Sequence, residues 1–325
     1  MSVVEDVAGN LLLVADSVNV GLLRSGERAL AIDCGTGAFV DDLAGLGIRH
    51  LAWVLATHHH RDGCSGLPRC RAAGAQLAVP AAEQALFDDV GRHWLAPESQ
   101  FHRYRLQPGT NVLATSVAID RALAGGDTFA WEQFTIQVVA TPGGLDDYCA
   151  HNRNLLGPGR GYERCLDLLE HLQPDLLVNM HVPLPFILPP AFLTEARTSL
   201  RARARLLTAM LPWEHPNCGL DPQWLRLYPY HQMLNPGSRG RVQLQVSNSA
   251  STPMQVRTIL KVPDGWQTLG ETGGVIAPES DGAFMTEFSL PTTIAAGRYV
   301  LTAQVWVYGR NLGDWVEALV DVDVG

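Results

Sequence analysis

An uninterrupted apolar run, Leu51 to Ala56, ends directly in Thr57-His58-His59-His60-Arg61-Asp62-Gly63. A short apolar run of this kind is a buried strand, and a strand that delivers three imidazoles and a carboxylate at its end sets them on the rim of a sheet. By alternation, His58, His60 and Asp62 share one side and His59 points away. Imidazole nitrogens with a carboxylate suit zinc, manganese or iron, provided a position is left open for water. The string by itself fits a polar loop or an incidental chelator equally well.

The flanking pattern gives that strand its setting. Leu11 to Val14, Val18 to Leu23 and Ala29 to Ile32 are β-prone runs split by turn residues, an opening antiparallel meander. After Asp33-Cys34-Gly35-Thr36-Gly37, the residues Phe39, Val40, Leu43 and Leu46 recur at helical spacing. Further on come a strand at Gln76 to Val79, a strand pair at Thr128 to Trp131 and Phe134 to Val139, and the turn Thr141-Pro142-Gly143-Gly144. An amphipathic helix over Gly161 to Leu172, with Cys165, Leu168, Leu169 and Leu172 on one face, leads to a buried strand Leu176 to Asn179 and His181. A long helix over about 190 to 210 closes this half.

Length also argues for two domains, since 325 residues exceed the typical domain of about 150. Pro212, Pro216 and Pro222 mark a break, and beyond it Val242, Leu244 and Val246, then Tyr299, Leu301, Ala303, Val305 and Val307, alternate with polar residues. About seven short strands fit there. The expected layout is 1–215 as the first domain, 216–227 as a linker flanked by Trp213, Trp224, Tyr228 and Tyr230, which are expected to pack the two domains together, and 228–325 as an immunoglobulin-like β-sandwich without the Cys–Trp–Cys signature.

A net charge of −9 with 24 Lys and Arg excludes a general affinity for nucleic acid or anionic lipid. The one basic run, Arg197, Arg201, Arg203 and Arg205, is expected to be a solvated helix face. The cysteines lack CxxC pairing, so reduced thiols and a cytoplasmic location are expected. No stretch reaches the ~20 apolar residues that span a bilayer, and no membrane partner is expected.

The order of these motifs resembles the metallo-β-lactamase superfamily: an Asp-Cys-Gly-Thr-Gly turn, a histidine loop after the next strand, Gly126-Asp127 before a strand pair, Thr141-Pro142-Gly143 closing it, and His181 after a later helix. The resemblance covers roughly 200 residues and implies an α/β fold, an αββα metallo-β-lactamase-like sandwich, followed by an all-β sandwich. In that family the loop reads HxHxDH; His58, His60, Asp62 and His181 match ligand positions, and Asp62 is the residue that would orient the attacking water. Two positions depart: Gly63 stands at the loop's second-site histidine and Gly144 at the histidine after the turn. The bridging aspartate has no match, and Asp146 and Asp147 lie too close to the turn to replace it.

The resemblance therefore implies at most one ion, zinc with iron or manganese as alternatives, held by a pooled set of His58, His60, Asp62 and His181. Asp33 is expected to support the loop and His59 to sit behind the ligands. Cys64 is expected to be a small packing residue. Trp266, in Pro263-Asp264-Gly265-Trp266, resembles the Pro-x-Gly-Trp turn of bacterial immunoglobulin-like accessory modules, with core packing as its role. The functional expectation is a metal-dependent hydrolase of an ester, amide or phosphoester, impaired by missing ligands. Its rival is a catalytically inactive scaffold or binding protein that uses the sandwich for partner recognition. Partners would be a small-molecule substrate or a protein, with a homo-oligomer open.

Overall fold

The structure is a computed structural model and describes residues 4–97, 100, 113–141, 161–182, 184–210, 221 and 223–323. The chain folds as two compact units, Met1–Leu95 with Arg105–Thr141 and Leu169–Phe192, and Ala96–Tyr104 with Pro142–Leu168 and Leu193–Gly325.

The first unit is built on a 7-stranded sheet in sequence order, β1 (Val4–Asp6), β2 (Leu11–Ala15), β3 (Asn19–Ser25), β4 (Arg28–Ile32), β5 (His50–Leu55), β6 (Gln76–Pro80) and β7 (Arg121–Leu123). Neighbours are antiparallel from β1 to β4 and parallel from β4 to β7. The switch follows from the connections. Tight turns such as Gly26, at φ 58°, join the first strands, whereas the 3₁₀ helix Ala38–Leu46 carries the chain from β4 back to β5. That segment buries Phe39 and Leu43, two of the residues the helical spacing singled out.

The parallel strands carry near-continuous apolar sequence, as strands covered on both faces must, and Leu22, Leu30, Leu51 and Leu77 are completely buried. A hairpin of β8 (Thr128–Trp131) and β9 (Phe134–Gln137) places Phe129 and Trp131 in one cluster with Leu30, Ala52, Leu55, Ala78 and Leu123. The expected strand Leu176 to Asn179 is a single bridge, Leu177 to Phe186. Val178 is 41% exposed, and among the described residues this apolar run has no neighbouring strand beyond that bridge. The turn Pro142-Gly143-Gly144, with Asp146 and Asp147, lies outside the described residues, as does Trp213.

The second unit carries two sheets around one core. One has the order β10 (Leu225–Tyr228), β12 (Arg239–Asn248), β16 (Ser280–Ser289), β14 (Gln267–Thr268); the other β11 (His231–Leu234), β18 (Arg310–Val322), β17 (Gly297–Val307), β13 (Met254–Lys261), β15 (Glu271–Ile276). Inward-facing Leu225, Leu227, Leu244, Val256, Leu301, Val305 and Val320 form the shared cluster. Among the described residues there are nine strands here and not about seven, and β10 begins inside the segment expected to be linker. Trp224 joins this core at 2% exposure. Trp266 stacks on Phe288 with centroids 5.7 Å apart.

In the same unit Arg197 pairs with Asp167 at 2.8 Å, and Arg203 lies over the Tyr162 ring at 5.7 Å. The helix Phe192–Met210 thus uses two arginines of its basic run for packing, where a wholly solvated face was expected.

Across β11, β17 and β18, Asp321 accepts from Arg298 at 2.7 Å and lies 2.9 Å from His231 Nε2. Arg298, then His231, hold its carboxyl at about 2, below the ordinary 3.8. A carboxylate whose pKa is lower in the folded chain adds stability that is present above the unfolded value and is lost as pH falls through the folded one. Asp321→Asn is therefore expected to lower the urea midpoint of the sandwich at neutral pH, with the gap to the parent protein closing between pH 3.8 and about 2.

Candidate metal centre

The site begins with a carboxylate at the end of β4. Asp33 is 1% exposed and adopts φ 57°, a left-handed conformation in which a short polar side chain is one of the few that is tolerated. Its backbone N–H donates to the Leu55 carbonyl of β5 at 2.9 Å, and its side chain accepts from Thr57 N–H at 2.8 Å and from Thr57 Oγ1 at 2.9 and 3.0 Å. Burial pushes the Asp33 carboxyl up to about 6, while the Thr57 hydrogen bonds pull the other way. With its hydroxyl hydrogen given to Asp33, Thr57 Oγ1 accepts from His58 Nδ1 at 2.9 Å.

That relay fixes the His58 tautomer and leaves the Nε2 lone pair as its coordinating atom. Nε2 is buried and has no hydrogen-bond partner, an arrangement that costs stability unless something occupies it. Burial first, then the neighbouring His60, lowers the His58 pKa to about 4. The imidazole is therefore neutral at physiological pH, which is the form that binds metal.

His58, His60 and Asp62 each offer one ligand atom, and the three atoms lie within 4.8 Å of one another. Donors of one tetrahedral zinc ion sit about 3.4 Å apart for bonds of about 2.0–2.2 Å, so small side-chain rotations close this set on an ion. A divalent ion fits these three residues. His181 is placed differently. Its Nε2 is 3.7 Å from Asp62 Oδ2, yet it is not part of the mutually close group among the described residues.

His59 points to the back of the loop, as alternation requires. Its side chain is wholly buried and its Nδ1 is 3.1 Å from Glu83 Oε2, which also accepts from the His59 backbone N–H at 2.9 Å. One carboxylate thus holds the main chain of the residue between His58 and His60 and lies beside its ring. Nothing around Ala81-Ala82-Glu83-Gln84 distinguishes this glutamate from a solvated one, so sequence reasoning missed it. Met180 was missed for the same reason, and Thr57 was quoted without a role.

Cys64 donates to the carbonyls of His60 at 3.0 Å and His59 at 3.3 Å. Burial, reinforced by the Asp33, Asp62 and Glu83 carboxylates, raises its pKa, so it remains a thiol and staples the loop. The Gly63 carbonyl accepts from Cys34 N–H at 2.9 Å and Gly35 N–H at 3.1 Å, which ties the histidine loop to the turn after β4. Gly66 lies against the Gly37 backbone so closely that no Cβ fits between them.

The Glu83 grip is open to a direct check. Glu83→Ala leaves the buried His59 N–H without its acceptor, and is expected to cost about 1–3 kcal/mol in urea unfolding.

Residues 13–146 match the family described as the metallo-beta-lactamase superfamily, and residues 234–307 match the one described as the NPCBM-associated, NEW3 domain of alpha-galactosidase. No curated protein matches the chain. Among solved structures, an MSP family member from C. elegans is 9% identical over 31% of this chain and 98% of its own, with a TM-score of 0.23. A FixG-related protein from Vibrio parahaemolyticus is 10% identical over 27% of this chain and 82% of its own, also at 0.23. The alkylpurine DNA glycosylase of Pseudomonas fluorescens is 15% identical over 50% of this chain and 44% of its own, again at 0.23. Likeness this slight carries no argument. Two segments carry the family likeness: residues 13–146 match the metallo-β-lactamase superfamily and residues 234–307 the NEW3 domain.

Proposed function

We propose that the protein is a metal-dependent hydrolase whose centre is formed by His58, His60 and Asp62, acting on an ester, amide or phosphoester. The observation that carries this reading is the convergence of the three ligand atoms within 4.8 Å, beside a His58 ring whose Nδ1 is held by Thr57 and Asp33 and whose buried Nε2 has no hydrogen-bond partner. A bound divalent ion would supply a water acidified to a pKa of about 7 and a Lewis acid for the substrate oxygen.

The chain's own groups do the rest. His58 and His60 are the neutral donors. Asp62 keeps Oδ1 as acceptor for the Gly63 N–H at 3.0 Å and presents its other oxygen outward, where it can hold the water and take its proton. His181, 3.7 Å away, is within reach to orient that carboxylate and to pass the proton to solvent. Zinc is the ion we propose, with iron or manganese as alternatives of the same donor set.

The wider assignment belongs to the same proposal. Residues 1–215 form an αββα metallo-β-lactamase-like domain, 216–227 a linker whose last residues are taken by β10, and 228–325 an immunoglobulin-like module that presents substrate or joins a second copy. Free thiols at Cys34, Cys64, Cys70 and Cys165 support a reducing, cytoplasmic location; no helix among the described residues is long and apolar enough to cross a membrane. The second reading, an inactive scaffold that recognises a protein partner, is favoured by one observation, the exclusion of His181 from the close donor group.

The two readings separate on metal content. Plasma mass spectrometry on freshly purified protein is expected to give about one ion per chain, lost in His58→Ala and Asp62→Ala together with hydrolysis of an ester, lactam or phosphodiester panel. A chain that stays empty after incubation with zinc, iron or manganese supports the scaffold. Asp33→Asn, which weakens the relay to His58, is expected to lower metal affinity by about 10–100-fold in a chelator competition.

A further inference from the structure

The turn that carries His181 is fastened to β3. Asn19 N–H donates to the Met180 carbonyl at 2.8 Å, and the Asn19 amide donates to the carbonyls of Asn179 and Val182. Within the turn, Asn179 Oδ1 accepts from the His181 N–H at 2.8 Å. These bonds decide which side chain goes inward. His181 is left outside, 59% exposed, whereas Met180 is half-buried, with its sulfur 3.7 Å from Thr57 Oγ1. Its terminal methyl is only 2.6 Å from the place a Cβ on Gly63 would take.

We propose that Met180 is a specificity-determining residue of the metal centre, filling the flank beside Gly63 so that the centre takes one divalent ion and not a pair. The inference rests on the reading that His58, His60 and Asp62 hold an ion. A second ion on this flank needs donors of its own. The described donor side chains there are Asp62 and His181, 3.7 Å apart, and Asp33, whose Oδ1 lies 3.7 Å from that Cβ place but is taken up by the Thr57 N–H and hydroxyl; the remaining space holds an apolar methyl packed on a residue that has no side chain to offer. Two protein donors do not hold zinc firmly.

Methionine is a flexible filler, so the block is the pairing of Gly63 with Met180 and not a rigid wall. Its consequence is chemical. Clamping both the attacking and the leaving oxygen of an in-line displacement takes two ions about 3.5–4 Å apart, so a one-ion centre is matched to carbonyl substrates, carboxylic esters and amides, ahead of phosphodiesters.

Native mass spectrometry of the full chain loaded with zinc reads the stoichiometry directly, with circular dichroism and thermal unfolding to check each variant. The expected result is one ion for the parent protein and for Met180→Leu, which keeps the flank filled. Two ions are expected for the double variant Gly63→His with Met180→Ala, and for Met180→His, which adds a donor in the same space and leaves Gly63 alone. Two ions on the parent protein overturn this inference and leave the metal-centre reading standing. One ion on both folded donor variants does the same. No ion on the parent protein overturns both.

Discussion

A carboxylate buried at the end of a strand has to be supplied with donors, and here the supply comes from the first residue of the histidine loop. Asp33 takes the N–H and the hydroxyl of Thr57, while its own N–H closes the last hydrogen bond from β4 to β5. The position is costly in two ways, a left-handed backbone on a residue other than glycine and a charge out of water. Both are offset by bonds that lock two loops together. Everything at the rim of the sheet inherits its placement from that lock: the His58 ring through Thr57, and the Gly63 carbonyl through the turn at Cys34 and Gly35.

Behind the loop a second carboxylate does a related job with opposite exposure. Glu83 grips His59 from the inside of the unit, and Asp62 stands at the outer edge with nearly half of its side chain open to water. Alternation along an extended segment makes this possible: one string of residues presents donors outward and an anchor inward. Cys64, bonded to the carbonyls of His59 and His60, closes the segment from below. The same residues that look redundant as a histidine run thus have separate duties, and only the even-numbered ones face the place where chemistry would occur.

Much of this was legible in the sequence because it depends on local pattern. The strands from β2 to β6, the hairpin, the histidine loop and the sandwich all follow from period, turn residues and apolar run length. The grouping of His58, His60 and Asp62 was legible because a strand end fixes which side chains share a face. What escaped were contacts made across long sequence separations by ordinary residues. Glu83, Met180 and Asn19 carry no local signature; each acquires its role from what the fold sets beside it. His181 shows the converse, a residue whose type and place suggested a ligand, but which the Asn19-anchored turn leaves outside the close donor group. Leu176 to Asn179 had the composition of a buried strand and, among the described residues, forms only the bridge from Leu177 to Phe186.

The closeness of the three donors along the chain has a further thermodynamic consequence. His58, His60 and Asp62 come from five consecutive residues, so gathering them around an ion closes almost no loop and needs little of the tertiary structure. The unfolded chain therefore carries much of the same chelating segment, and an ion that also binds the unfolded state lends the fold less than its affinity would suggest. Metal and fold would be only loosely linked here: the sheet can stand without an ion, and the segment can capture one before the sheet is complete.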